Sequence, residues 1–436
     1  MPRFDDTNPH TDSFCLQYNR VPGGRGCSYN GCMVTPPRML YLDHNATTPL
    51  LPRAALAMRH AEQRAFANPA SQHAAGRQAR LVVEETREQI MHLLGAGPQD
   101  QLVFTSGGTE ANNLALLGMA RAAEQNSSVH RRSEESGPLG IVISSIEHPS
   151  VIGAADELSR RGWEVARLPV DANGVIQLAA FEGLLTPSTR LVSVMLGNNE
   201  TGVLQPLHEI AATVRAAESR FGTRICLHAD AVQAVGKVPV DFLALGVDAL
   251  SFTAHKLHGP RGIGGLLLSA NTPIAPMLHG GFQQAGLRPG TESPELAAGL
   301  AAALADSAEE GLARTARMTA LRDRFENGVV SVWPSAVVNG AGAARLPHTS
   351  NVAFPGIDRQ ALLMALDLAG VCCSTGSACA SGSSEPSPVL LAMGCPPEIV
   401  GSSLRFSLGA LTSESDIDEA ILRLGRTLAC WKGASS

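Results

Sequence analysis

Four groups of polar residues follow short apolar runs, where side chains could carry out chemistry. The first, residues 105–113 (TSGGTEANN), comes directly after an apolar run and opens a stretch with helical spacing. Glycines let the backbone approach an anion, hydroxyls donate hydrogen bonds, and a helix N-terminus supplies positive potential. The segment lacks the lysine of a P-loop and the spacing of a dinucleotide motif. It predicts a phosphate-binding loop, with a plain glycine-rich turn as the alternative.

The second group contains a carboxylate at the end of an apolar run. Asp230 closes residues 225–230 (ICLHAD). It needs a partner there, because an unpaired buried charge is costly. The pattern fits either a cap for the segment that follows or a carboxylate paired with a heterocycle nitrogen.

The third group contains a lysine after another apolar run. Lys256 ends residues 251–256 (SFTAHK) and precedes the loop 259–262 (GPRG), unlike the solvated lysines of helix surfaces. It is either an exposed loop lysine or one that bonds pyridoxal phosphate, with Thr253 and His255 holding the phosphate beside it.

These three groups together supply what pyridoxal phosphate needs. The phosphate loop anchors the cofactor, Asp230 keeps the pyridine nitrogen protonated, and Lys256 bonds the cofactor. The combination predicts carbanion chemistry on an amino acid.

The fourth group is a cysteine among small residues. Cys379 lies in residues 372–386 (CCSTGSACASGSSEP), whose small side chains cannot pack it tightly. An exposed thiol is a candidate nucleophile if its pKa is lowered. By itself, without the three groups above, the pattern favours a redox-inert loop cysteine.

The elements that position these groups alternate between strands and helices. Apolar runs predict strands at 102–104, 141–144, 165–169, 191–196, 225–228, 249–252 and 264–268. Helical spacing predicts helices at 78–94, 110–121, 151–161, 207–219 and 295–318. This alternation indicates a mostly parallel sheet covered on both faces, which binds ligands at the carboxyl ends of its strands. The polar stretch 124–137 is predicted to be a surface insertion.

The regular alternation of predicted strands and helices ends at about residue 325, which indicates a smaller α+β domain after it. Strands are predicted at 350–354 and 403–407, and helices at 359–368 and 417–429. The predicted organisation is a flexible tail at 1–38, a segment at 39–55 joining the small domain, a large domain at 56–294, and a small domain at 295–436 that carries the catalytic cysteine loop.

Composition restricts the class of protein. The chain has 436 residues, of which 44% are apolar and 17% charged, with a net charge of −6. These values are typical of a globular protein and exclude disordered, collagen-like and coiled-coil classes. The sequence contains no cluster of basic residues, so nucleic-acid binding is not predicted. The nine cysteines, an odd number, do not predict a disulfide framework, and the N-terminus has no apolar leader, so we expect a cytoplasmic protein with reduced thiols. No apolar run is long enough to span a bilayer, so no membrane segment is predicted.

The first 38 residues contain nine Gly or Pro and no periodicity, which predicts the flexible tail, or a true start at Met39. Cys15, Cys27 and Cys32 lie in this region. A metal clip there would need a fourth ligand and better spacing. No resident metal site is predicted.

The chain resembles the cysteine desulfurases of the fold-type I, class V aminotransferase group over about residues 39–430. The matching motifs are 41–49 (YLDHNATTP), 68–71 (NPAS), 105–110 (TSGGTE), 147–148 (EH), 198–202 (NNETG), 228–233 (HADAVQ), 254–256 (AHK), 288–292 (RPGTE), 376–379 (GSAC) and 403–409 (SLRFSLG). The resemblance implies the α/β fold of type I pyridoxal phosphate transferases: a large domain with a mostly parallel mixed sheet between helices, and a smaller α+β domain.

The resemblance also implies catalytic roles. Lys256 would hold the cofactor and move the α-proton of free cysteine, and His148 would stack on the cofactor ring and assist as acid or base. Cys379 would take the substrate sulfur as a persulfide, and alanine would be released. The length of the loop resembles the subgroup with long mobile loops that is associated with iron–sulfur cluster assembly, where Cys379 could also ligate a transient cluster together with a scaffold partner.

Binding roles follow from the same resemblance. The cofactor-binding residues would be Gly108, Thr109, His148, Asn199, Asp230, Gln233, Thr253, His255, Lys256 and Thr291. Of these, Thr291 would reach the phosphate across a homodimer interface, and Asn199 and Gln233 would face the ring hydroxyl. Arg405 would clamp the substrate carboxylate as a planar bidentate donor. Asn45 would be a second substrate-binding residue.

The sequence is compatible with three alternatives. A selenocysteine lyase shares the cofactor site and resembles residues 198–202 and 386–391, although residues 377–385 fit a desulfurase better. A class V aminotransferase would have no use for Cys379. A catalytically silent scaffold in a sulfur relay would be colourless. The sulfur acceptor is also open, between an iron–sulfur scaffold, a tRNA-thiolation carrier and other carriers.

Overall fold

The computed structural model describes residues 38–130, 137–376 and 385–432. Its strands are β1 (Leu40–Tyr41), β2 (Gln101–Thr105), β3 (Gly140–Ser144), β4 (Glu164–Leu168), β5 (Thr189–Ser193), β6 (Cys226–Asp230), β7 (Ala249–Thr253), β8 (Gly264–Leu268), β9 (Val337–Val338), β10 (Thr349–Ala353), β11 (Val371–Cys372) and β12 (Ser403–Ser407). Its helices are α1 (Pro52–Arg64), α2 (Ala74–Leu93), α3 (Gly108–His130), α4 (Pro149–Arg160), α5 (Leu178–Leu184), α6 (Leu207–Phe221), α7 (Phe242–Leu245), α8 (Pro294–Val332), α9 (Arg359–Leu368), α10 (Pro388–Ala392), α11 (Pro397–Ser402) and α12 (Glu414–Lys432).

A seven-stranded mixed sheet contains all the strands predicted before residue 325. Its spatial order is β2-β8-β7-β6-β5-β3-β4, and only β8 runs antiparallel to its neighbours. Alternate residues of the strands face two separate apolar cores: Leu102 and Phe104 lie in one, and Val103 lies in the other. Burial on both faces explains the largely apolar strands β3, β7 and β8, whereas the edge strand β4 contains the exposed Glu164 and Arg167. The predicted α/β fold with a mostly parallel sheet is confirmed.

Two small sheets use the C-terminal part of the chain and its first described strand. β12, β10 and β9 form an antiparallel sheet, and β1 pairs with β11 in parallel. The two-residue strands β1, β9 and β11 were not predicted, because two residues carry no periodicity. Contacts join the chain from Arg38 onward into one unit. The predicted domain limits therefore stay a prediction.

The helices α3 and α8 exceed their predicted lengths by the most. α3 continues to His130, into the stretch predicted as an insertion, and residues 131–136 lie outside the described chain. α8 has 39 residues and is interrupted at Gly311, where φ is 44° and ψ is −124°. Its first half packs in a core of the large sheet through Leu300, whereas its second half packs in the small-sheet core through Phe325. In the part of the chain that the structure describes, no helix is long and apolar enough to cross a membrane.

Candidate active site

The polar groups gather at one edge of the large sheet. β2, β3, β5, β6 and β7 run in the same direction, so their carboxyl ends lie at a common edge. Gly108 follows β2, His148 follows β3, Asp230 ends β6, and Lys256 follows β7. This is where open α/β sheets bind ligands.

Asp230 is almost fully buried and accepts two hydrogen bonds. Its Oδ1 accepts from the backbone N–H of Val232 at 2.9 Å, and its Oδ2 accepts from Nδ2 of Asn112 at 2.7 Å. Among the described residues, no arginine or lysine forms an ion pair with it. The two predicted roles of Asp230 are therefore compatible. Its carboxylate can accept the local capping hydrogen bond and still pair with a heterocycle nitrogen, because it has further lone pairs.

A chain of hydrogen bonds links Asp230 to His148. Nδ2 of Asn112 also donates to Oγ of Ser150 at 2.8 Å, and Oγ of Ser150 lies 2.8 Å from Nδ1 of His148. Sequence reasoning missed Asn112 and Ser150. Asn112 belongs to the TSGGTEANN segment, and its place one helical turn after Gly108 was the available signal.

His148 is also the N-cap of α4, because its Nδ1 accepts from the backbone N–H of Ser150 at 3.1 Å. An acceptor Nδ1 places the hydrogen of the neutral ring on Nε2. Burial lowers the pKa of His148, opposed by the charge of Asp230 and supported by that of Lys256. The imidazole is therefore neutral near pH 7, as a proton acceptor must be.

The amine of Lys256 donates hydrogen bonds to backbone carbonyls. Lys256 ends the 3-10 turn Ala254–Lys256 after β7 and is half-buried. Its Nζ donates to the carbonyl of Asn45 and, at 2.8 Å, to that of Ala46. The alternative of an exposed loop lysine is wrong. Sequence reasoning also missed the carbonyls of residues 45–46, because every residue has a backbone carbonyl and residue type does not show which one accepts a hydrogen bond.

Asn45 joins the remaining predicted polar residues. Its carbonyl accepts from Nε2 of Gln233 at 3.1 Å, and its Nδ2 donates to the carbonyl of Asn199 at 3.1 Å. Oε1 of Gln233 and Oδ1 of Asn45 are buried without a partner. Two buried amide oxygens left unpaired at one place indicate that a polar ligand fits there.

Arg405 lies on β12 and is 2% exposed, so it is not a surface ion-pair residue. One terminal nitrogen donates to Oδ1 of Asp43 at 2.8 Å, and the other donates to the carbonyls of Asn199 and Gly376 at 3.0 and 3.2 Å. Its Nε is buried without a partner. Asp43 was missed as its ion-pair partner. A guanidinium with one unpaired N–H has a donor to offer an anionic group.

The predicted phosphate loop forms the first turn of α3, which begins at Gly108. A Cβ at Gly108 would lie 2.7 Å from Cγ2 of Val232, so only glycine allows this approach. Thr109 is exposed at the helix start, and Thr253 donates to the carbonyl of Ile263 at 3.1 Å while keeping its acceptor lone pairs. Nδ1 of His255 lies 3.2 Å from Oγ1 of Thr47.

These polar groups fit pyridoxal phosphate. A helix N-terminus with hydroxyls suits a phosphate, and the Asp230 carboxylate suits a protonated pyridine nitrogen. The unpartnered Oε1 of Gln233 suits a ring hydroxyl, and Lys256 supplies the amine.

Two predicted residues lie apart from this network. Thr291 is exposed in the loop before α8, so its predicted role across an interface stays a prediction. Cys379 lies outside the described residues. The described ends of its segment meet at Glu200: Oγ of Ser387 donates to Oε2 of Glu200 at 2.6 Å, and a Cβ on Gly376 would lie 2.7 Å from that oxygen. Sequence reasoning assigned Glu200 no role.

Buried neutral histidines predict that acid destabilises the fold. Burial lowers the pKa of His44 and His228 to about 3 and that of His255 and His258 to about 4, and it lowers the pKa of His348 well below its ordinary value. The unfolded chain protonates these rings near pH 6.5, so the free energy of unfolding should fall as pH drops from about 6.5 toward 4.

Each such histidine contributes at most about 1.4 kcal/mol for each pH unit in that range. Urea unfolding should show a loss of about 3 kcal/mol or more between pH 7 and pH 5. Glu147 acts in the opposite direction, since burial raises its pKa to about 8 and its contribution is lost as pH rises from about 4.5 toward 8. His228→Gln should make the pH dependence shallower. Equal stability at both pH values would contradict the prediction.

Residues 40–420 match the model of the family Aminotransferase class-V. The chain is 40% identical over 385 residues to cysteine desulfurase 2 of Trichormus variabilis, covering 88% of this chain and 91% of that protein. It is 39% identical over 382 residues to cysteine desulfurase NifS of Azotobacter vinelandii, covering 88% and 90%. A solved structure described as a NifS-like protein superposes with a TM-score of 0.81 at 32% identity, covering 90% of this chain and 100% of that chain. The matched region contains every site residue named above.

Proposed function

This chain belongs to the class-V aminotransferase family, and on that premise we propose that it is a cysteine desulfurase, which takes sulfur from L-cysteine and releases L-alanine. One observation carries the proposal. The amine of Lys256, the carboxylate of Asp230 and the phosphate loop lie at one edge of the sheet, in a chain whose relatives are named cysteine desulfurases.

The proposed cofactor is pyridoxal phosphate. Gly108, Thr109, Thr253 and His255 would hold its phosphate, and Asp230 would pair with its ring nitrogen. His148, Asn199 and Gln233 would contact the ring, and Lys256 would bond it. When bound, the cofactor supplies an electron-accepting ring that makes the bonds at the α-carbon of an amino acid labile.

The chain's own residues then bind the substrate and move its protons. Arg405 orients the cysteine carboxylate through its unpaired Nε. Asn45 offers its unpaired Oδ1 to the substrate as a hydrogen-bond acceptor. Nζ of Lys256 takes the proton from the α-carbon. Neutral His148, tied to Asp230 through Ser150 and Asn112, accepts or returns a second proton.

The thiol of Cys379 is the proposed sulfur acceptor. A sulfur–sulfur bond forms between Cys379 and the substrate thiol while the carbon–sulfur bond of the substrate breaks. The electron pair of the broken bond and one proton end on the carbon that becomes the methyl group of alanine. No external oxidant or reductant is required, because the thiol becomes a persulfide as cysteine becomes alanine.

The persulfide would pass to a sulfur-acceptor protein, either an iron–sulfur scaffold or a tRNA-thiolation carrier. We also propose a homodimer in which Thr291 of one protomer reaches the cofactor phosphate of the other. The small-residue composition of the segment around Cys379 suits transfer to an outside acceptor. The names of the relatives do not favour the selenocysteine lyase alternative.

The test supplies L-cysteine and L-selenocysteine in separate reactions, with alanine quantified. Purified protein loaded with pyridoxal phosphate is expected to form one alanine for each sulfur released from cysteine. A dithiol in the reaction should sustain turnover by removing the persulfide sulfur. Turnover of selenocysteine alone would replace the proposal with the lyase, and a colourless protein with no turnover of either would favour the silent scaffold.

A further inference from the structure

His258 lies two residues after Lys256 in a strained backbone conformation. Its φ is 67°, in the left-handed region that residues with a Cβ rarely adopt, and it is 2% exposed. A buried, bulky residue in this region persists only where surrounding contacts hold it.

All four polar groups of His258 are used. Its N–H donates to Oγ1 of Thr48 at 2.8 Å, and its carbonyl accepts from the N–H of Leu51 at 3.0 Å. Its Nε2 accepts from the N–H of Ala410 at 3.0 Å, and its Nδ1 lies 2.9 Å from the carbonyl of Pro49. The backbone N–H of Ala410 can only donate and the carbonyl of Pro49 can only accept, so the hydrogen of the neutral ring must be on Nδ1.

The segment that His258 holds is the one that binds Lys256. Three of its four bonds go to residues 48–51, and Nζ of Lys256 donates to the carbonyls of residues 45 and 46 in the same stretch. Thr48 returns to the lysine turn, because its N–H and its hydroxyl both donate to the carbonyl of His255 at 2.9 Å. Movement of residues 45–51 would therefore move the groups that orient the amine.

The fourth bond connects this frame to the substrate side. Ala410 follows β12, the strand that carries Arg405, by three residues. Leu408 is held in the same turn, since its N–H donates to the carbonyl of His348 at 2.8 Å. His258 thus joins the turn of Lys256, the segment 45–51 and the end of β12.

We propose that His258 is a positioning residue that fixes the amine of Lys256 relative to residues 45–51 and to the strand of Arg405. This inference rests on the proposed function, in which Lys256 is the reactive amine. Because all four of its polar groups are used within the protein, His258 acts through the bonds to Pro49 and Ala410 and not on a reacting atom.

The test compares His258→Gly with His258→Asn in the full chain. Glycine accepts the left-handed backbone but removes both ring bonds. Asparagine also tolerates this conformation, and its amide can still donate to the carbonyl of Pro49. Val329→Ala is the control for stability alone, because Val329 is fully buried in the small-sheet core.

The first measurement uses protein without cofactor and follows reductive methylation of Lys256 by peptide mass spectrometry. His258→Gly should raise the labelling rate at least about threefold, because the amine reacts when its segment opens. His258→Asn should return the rate toward that of the wild type, and Val329→Ala should leave it unchanged. Equal rates in wild type and His258→Gly, or a rise of the same size in Val329→Ala, would overturn the proposal.

The second measurement uses cofactor-loaded protein and separates kcat from KM for cysteine. A misplaced amine should lower kcat about tenfold or more in His258→Gly, with partial recovery in His258→Asn. Unchanged kcat in both variants would also overturn the proposal. A wild type that forms no alanine would instead refute the proposed function, and the labelling rates would still decide whether His258 positions Lys256.

Discussion

Lys256→Ala is expected to lose the visible absorbance of bound pyridoxal phosphate and to form alanine at least about a thousandfold more slowly than the wild type. In the proposed function, the bond to the cofactor and the proton transfer at the α-carbon both depend on this amine. The position supports the role, because Nζ already lies among polar groups at the carboxyl edge of the sheet. The measurements are an absorbance spectrum and an alanine assay.

The lysine content makes this test unusually specific. The chain has three lysines, Lys237, Lys256 and Lys432. Borohydride reduction followed by peptide mapping should locate the cofactor on Lys256 alone. Lys237→Met is the matched control, because Nζ of Lys237 is buried without a partner and burial lowers its pKa to about 7. That variant should keep the absorbance, and an adduct on Lys237 would refute the assignment.

Cys379→Ser should keep the cofactor absorbance and yet lose alanine formation by at least about a thousandfold, as expected when a nucleophile is removed. A serine hydroxyl cannot accept sulfur as a persulfide. Alkylation of the protein after addition of cysteine, followed by mass spectrometry, should detect the extra sulfur on the peptide of Cys379 in the wild type and not in the variant.

The other described cysteines are poor candidates for this role. Burial raises the pKa of Cys226 to about 12, and it also raises the pKa of Cys372, Cys373 and Cys395. The thiolate is the nucleophile, so these thiols react slowly at neutral pH. Cys395→Ser is the matched control and should retain activity. Full activity in Cys379→Ser would remove Cys379 from the mechanism.

Local pattern was sufficient for much of the site. The predicted phosphate loop, Asp230 and Lys256 became candidates because each follows an apolar run, and they lie at one edge because the ends of parallel strands meet there. The predicted strands at 141–144 and 264–268 agree with β3 and β8 within one residue. These strands carry their apolar pattern within their own sequence, whereas the 13-residue helix α1 was not predicted.

Only the tertiary structure decided which residues support those groups. Arg405 pairs with Asp43 across 362 residues, Asn112 reaches Asp230 across 118, and the carbonyls under Lys256 lie more than 200 residues away. Sequence by itself determined which chemistry is available, because residue type and local periodicity are properties of short segments. It could not determine these partners, because their contacts exist only once the sheet order is set and distant segments pack, and backbone carbonyls and amides are the same at every position.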